Sequence, residues 1–235
     1  MLLGFVCSTA CACDKPVNLT FDVGNMSSAE FIARTLKQYN IRATFFLANN
    51  PTRTGANALT EKWRTFWKQR VAEGHQFGNH TWSHYFIRQD LSDNWVQGFT
   101  RNGGKIRLDK TAFCSELQHV GSAFYALTGK KLLPVWRAPA GRTTQNTLRW
   151  AKECGYPKHI GWSKAGYIHD DLSSDTYPNS MLLEKASRQI QAGDTVLMHL
   201  GVWNRKVPAA TILPDLIASL KKRGLCFTPL HETHS

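Results

Sequence analysis

Short apolar runs alternate with amphipathic stretches along the whole chain, and this alternation limits the fold more than any other feature. Val17-Asn18-Leu19-Thr20-Phe21 reads as a strand. Residues 27–39 read as a helix, with Ser27 or Ser28 as its cap and Phe31, Ile32, Thr35 and Leu36 on one face. Strands are expected at 43–47 and 76–79, on either side of a helix at 61–73 that Gly74 ends. Helices at 111–128, 144–154, 180–191 and 212–223 then alternate with strands at 134–138, 158–162, 195–199 and 225–229. The polar segment 85–104 fits neither period.

Strands separated by helices pair in parallel through βαβ units. About seven such units in 235 residues suit an α/β barrel better than an open sheet. With no repeat, low-complexity tract or long linker, one domain is expected. In such a barrel the chemistry sits at the C-terminal ends of the strands. Asp22, His80, Arg137 and His199 all fall at or just after the end of an expected strand.

Residues 1–12 are uncharged, and Ala10-Cys11-Ala12 fits the small-x-small rule of a signal cleavage site. The expected division is therefore a signal segment at 1–12 and a single domain at 13–235, exported to the periplasm or the extracellular space. The apolar run is too short to span a bilayer, so no integral membrane span is expected. A buried first strand is the alternative. Cleavage would leave Cys13, Cys114, Cys154 and Cys226, which allow three pairings. The net charge is +12, but the basic residues are scattered and no nucleic-acid motif accompanies them, so no nucleic-acid partner is expected.

His80-Thr81-Trp82-Ser83-His84 places two imidazoles one helical turn apart, where both can converge on one metal ion. Zinc is the usual ion for nitrogen donors. Asp22 is an acid at a strand end beside a glycine turn. Arg137 can hold a carboxylate bidentately and keep it ionised. His199 closes the apolar strand Val196-Leu197-Met198.

The order of these pieces resembles the polysaccharide deacetylase family, also called the NodB-homology group or carbohydrate esterase family four. Thr20-Phe21-Asp22-Val23-Gly24 stands where that family has T-F-D-D-G. His80-Thr81-Trp82-Ser83-His84 matches H-[ST]-x-x-H, Arg137-Ala138-Pro139-Ala140 matches R-x-P-x, and Leu197-Met198-His199 matches L-x-H. Trp162 opens the fourth motif. The resemblance spans about residues 17–230.

It implies a distorted (β/α) barrel that removes an N-acetyl group from an amino sugar of peptidoglycan, chitin or a related glycan. It implies a divalent metal, zinc by preference, with His80 and His84 as ligands. Asp22 matches the general base, Arg137 the residue that orients it, His199 the general acid and the Ala140 N–H an oxyanion donor. Leu197, Trp162 and Asp171 belong to the substrate pocket.

Two departures qualify this. Val23 replaces the aspartate that serves as the third metal ligand, so Asp22 ligates instead, another acid such as Asp170, Asp171 or Asp175 reaches in, or the site is metal-poor. The fourth-motif aspartate is displaced, and either Asp170 or Asp171 orients His199 or both are loop acids. A catalytically weak glycan-binding relative and a hydrolase of a small non-sugar amide stay open as alternatives.

Overall fold

The first strand, β1 (Pro16–Asp22), is buried after its first residue, as a central parallel strand covered on both faces must be. The computed structural model describes residues 13–230, so the expected signal segment lies outside the described residues. Helix α1 (Ala29–Gln38) follows β1, and β2 (Thr44–Leu47) returns beside it in parallel. A 3₁₀ turn at Glu61–Trp63 leads into α2 (Arg64–Ala72), then β3 (Gln76–Asn79) pairs with β2.

The segment that fits neither period forms a separate antiparallel sheet of β4 (Phe86–Ser92), β5 (Trp95–Phe99) and β6 (Lys105–Leu108). The barrel pattern then resumes with α3 (Lys110–Thr128), β7 (Val135–Trp136), α4 (Gln145–Glu153) and β8 (Lys158–His159). It ends with α5 (Asn179–Gln189), β9 (Thr195–His199), α6 (Leu213–Lys222) and β10 (Cys226–Phe227).

All pairs in the main sheet are parallel, in the order β10-β1-β2-β3-β7-β8, with β9 also paired to β1. β8 and β9 do not pair directly. The chain after β8 spans the gap through Ser163 N–H to Thr195 O at 3.1 Å and Leu197 N–H to Gly166 O at 2.9 Å. The result is a distorted (β/α) barrel, as expected. Among the described residues no helix is long and apolar enough to cross a membrane.

The helices begin where their caps dictate. Asp109 accepts from the Ala112 N–H at the start of α3, and Thr144 and Thr147 form a reciprocal capping box at the start of α4. Gly129 ends α3 in a left-handed conformation. α3 and α4 pack together and are joined by the Cys114–Cys154 disulfide. The parallel pairing of β1 with β10 brings Cys13 to Cys226, and these form the second disulfide. One of the three pairings the sequence leaves open is thereby selected.

Gly24 turns the chain just beyond β1 with φ of 55°. A Cβ there would lie 2.0 Å from the Gly201 carbonyl oxygen in the loop after β9. Both the backbone conformation and the close approach require glycine. Gly24→Ala is expected to destabilise the fold by at least about 1–3 kcal/mol. Urea denaturation measures this, and an unchanged midpoint would contradict the close approach of these two loops.

Candidate active site

Parallel register sets the site. Asp22, the last residue of β1, pairs directly with His199, the last of β9, and with Phe46 on β2. Asn79 ends β3 beside Trp136 on β7, so His80 and Arg137 leave the sheet side by side. A cavity of about 600 Å³ opens at this end of the barrel. It is lined by Asp22, His80, His84 and His199, and also by Ala140, Trp162, Leu197 and Asp171. Arg137 lies fully buried behind Asp22. The residues expected from the sequence to form the site therefore come together around one cavity.

Arg137 is the hub. Its Nη1 donates to Asp22 Oδ1 at 2.8 Å, its Nε to Ile160 O at 3.1 Å and its Nη2 to Gly161 O at 2.9 Å. The Phe46 ring lies 4.0 Å from the guanidinium carbon. Burial opposes the charged form of Asp22. The neighbouring His80, Arg137 and His199, with the Arg137 hydrogen bond, outweigh it and hold the carboxyl below its ordinary value.

The Arg137 carbonyl acts on a second group. It lies 2.9 Å from His80 Nδ1, and a carbonyl can only accept, so Nδ1 carries the hydrogen. His80 Nε2 is then left as an acceptor, 3.4 Å from Asp22 Oδ2. Two acceptors this close need a cation, a proton or the two hydrogens of a water between them. The His84 ring packs edge-on to His80 at 4.8 Å, and its buried Nδ1 has no hydrogen-bond partner. Burial pushes the pKa values of both imidazoles down, His84 well below the ordinary histidine value, so both keep lone pairs at neutral pH.

The loop carrying the two histidines is fixed by contacts that motif reading missed. Asn79 Oδ1 accepts from the Thr81 N–H at 3.0 Å. Glu116 on α3 accepts from the Ser83 N–H at 2.6 Å and from its hydroxyl at 2.8 Å. Thr81 and His84 both adopt positive φ, which these contacts hold in place.

Asp170 resolves the displaced fourth motif. Its carboxylate accepts from the His199 N–H at 2.6 Å and lies 3.0 Å from His199 Nδ1. Burial alone would lower the His199 pKa. The charge and hydrogen bond of Asp170, with further charge from Asp22 and Asp171, raise it to about 9. Asp171 instead accepts from the Tyr167 hydroxyl at 3.0 and 3.1 Å. Asp175 pairs at the surface with Lys206 at 2.7 Å and does not join the site. Gly141, with φ of 71°, is required beside Trp162, because a Cβ there would lie 2.7 Å from the indole ring.

Donor chemistry at His80 and His84 fits a divalent ion that favours nitrogen, with Asp22 the carboxylate in reach. A dedicated third ligand is missing. Val23 is fully buried in the main apolar cluster, and among the described residues no group of three or more His, Cys, Asp or Glu side chains forms a ready metal site.

A parallel α/β barrel with a buried carboxylate, an imidazole pair and a carboxylate-bound histidine at its C-terminal mouth defines a hydrolase-type site. Residues 9–159 match the family described as Polysaccharide deacetylase, and the chain belongs to that family. A peptidoglycan-N-acetylglucosamine deacetylase of Bacillus cereus is 29% identical over 215 residues, covering 91% of this chain and 66% of that protein. A CE4 family pseudoenzyme from Bacillus anthracis superimposes with a TM-score of 0.68 at 21% identity, over 93% of this chain and 64% of that one. A family 4 acetyl xylan esterase from Clostridium thermocellum, solved with a cobalt ion, gives 0.72 at 19% identity, over 93% and 89%. The chain thus spans about two thirds of the length of the first two.

These protonation states predict a pH window for stability. Burial lowers His75 and His159 to about 4, and lowers His80 and His84 as well, so the unfolded chain binds more protons in acid. Stability is then lost as pH falls below about 6.5, the ordinary histidine value. The raised His199 works the other way. Its contribution is full below about 6.5 and is lost as pH rises through about 9. Urea midpoints measured across pH should peak at about 6.5, and a maximum below pH 6 would contradict the buried neutral histidines.

Proposed function

We propose that this chain hydrolyses the acetamido group of an N-acetylated glycan of the peptidoglycan or chitin type, releasing acetate. The observation that carries the reading is a pair of contacts across one cavity: Arg137 donates to Asp22, which favours its ionised form, and Asp170 holds His199, which favours its protonated form. Similarity to the Bacillus cereus peptidoglycan-N-acetylglucosamine deacetylase supports the same substrate class.

The chemistry follows from the positions of these groups. Asp22 Oδ2, the oxygen not held by Arg137, accepts a proton from the attacking water. The Ala140 N–H serves as donor to the developing oxyanion, a contribution of about 3 kcal/mol in comparable sites. An amine leaves poorly unless protonated, and His199 delivers that proton while Asp170 holds its other nitrogen. Leu197 walls the acetyl group and Trp162 offers a ring face to the sugar. Zinc held by His80 and His84 would supply Lewis acidity toward the acetyl carbonyl. With Val23 in place of a third ligand, the site holds zinc more weakly than a complete set would.

Export to the periplasm or the extracellular space accords with this substrate and with two disulfides, which persist in oxidising compartments. Val23 favours a second reading, a glycan-binding relative with little turnover, like the pseudoenzyme that shares the fold.

Acetate release from chitin oligomers and peptidoglycan fragments, with and without zinc, separates the two. The first reading expects turnover that His199→Ala lowers about 10²–10⁴-fold. It also expects kcat/KM to fall on the alkaline side near pH 9, where His199 loses its proton. Zinc should raise the melting temperature through His84, and His84→Ala should remove that shift. Glycan binding with no acetate released at high enzyme concentration would establish the second reading.

A further inference from the structure

We propose that Arg101 recognises a carboxylate on the glycan, so that the acylated amino sugar this site prefers carries an acidic substituent. The inference rests on the glycan reading above and names the kind of sugar it takes. Arg101 lines the catalytic cavity on the side of His84 and Phe86, and its charge is felt at His84. Motif reading gave it no role.

Three observations make it more than a stray surface cation. First, it has no acidic partner among the described residues. Burial lowers its pKa, and no carboxylate acts to raise it again. Arg101 is still exposed at the mouth of the cavity, so its guanidinium is open to an incoming anion and has no counterion to give up.

Second, the acids around the cavity are otherwise engaged. Asp22 pairs with Arg137, Asp170 holds His199, and Asp171 accepts from the Tyr167 hydroxyl. The buried pairs cancel, and Arg101 is left as the cation that a ligand can meet.

Third, the backbone turn that carries Arg101 is braced by local hydrogen bonds. Arg101 sits in the turn between β5 and β6, where the Thr100 N–H donates to Gly104 O at 2.8 Å and the Gly104 N–H to Thr100 Oγ1 at 3.0 Å. The opposite end of this small sheet, at the turn between β4 and β5, is fastened to α4. Asn146 Nδ2 donates to Ser92 O and Arg149 Nη2 to Asp93 O, both at 2.7 Å. The planar guanidinium fork matches a carboxylate in two parallel hydrogen bonds.

The experiment compares two tetrasaccharides by equilibrium binding at low ionic strength. One is chitotetraose, which is neutral. The other alternates N-acetylglucosamine with N-acetylmuramic acid, whose lactyl ether bears a carboxylate. The full chain should bind the acidic ligand about tenfold or more tightly, the scale of one charge-assisted contact. The preference should shrink as salt rises. Arg101→Gln should remove it while leaving chitotetraose affinity and the melting temperature unchanged, and Arg101→Lys should restore part of it. Equal affinity of the parent chain for both ligands, or a preference that survives Arg101→Gln, overturns the proposal and leaves the glycan reading standing. Binding of neither ligand overturns both.

Discussion

The buried ion pair between Arg137 and Asp22 is the contact on which the site depends. Arg137 leaves the end of β7 and reaches under the cavity to the end of β1. Its remaining donors satisfy two carbonyls of the chain beyond β8. A guanidinium taken fully out of water is tolerable only with such complete pairing, and removal of one partner from a pair like this costs about 3–5 kcal/mol. The same residue uses its backbone carbonyl to set the hydrogen of His80. One side chain and one carbonyl thus fix the ionisation of Asp22 and the tautomer of the neighbouring His80.

A second pair works in the opposite sense. Asp170 raises His199 as Arg137 lowers Asp22, although both sites are buried. Burial alone would neutralise both groups, so the partners decide the charge. The direct register between Asp22 and His199 on adjacent strands places the two outcomes side by side. In the proposed reaction, Asp22 as base and His199 as acid would coexist in the states that amide hydrolysis needs, over a range that includes neutral pH.

Much of this was legible in the sequence because parallel barrels place functional residues at strand ends. The positions of Asp22, His80, Arg137 and His199 relative to apolar runs predicted their convergence. The β4–β6 sheet was not legible. β4 buries only Ile87 well, and β6 only Leu108, so no two-residue apolar period marks either strand. They are held by backbone pairing and by side chains from α4, which leave no local pattern. The choice between Asp170 and Asp171 was equally hidden. Both lie in one polar loop, and only the bridge between Tyr167 and Leu197 brings Asp170 level with His199. The disulfides depended on strand and helix neighbours that composition does not encode. Val23 was visible as a departure, but its burial in the apolar cluster required the fold.

The central claim is that these two pairs hold Asp22 ionised and His199 protonated together. It is tested most directly by following the His199 imidazole by NMR as a function of pH. The account predicts a protonated ring through neutrality, titrating near 9. A midpoint at or below the ordinary histidine value of about 6.5 would contradict it.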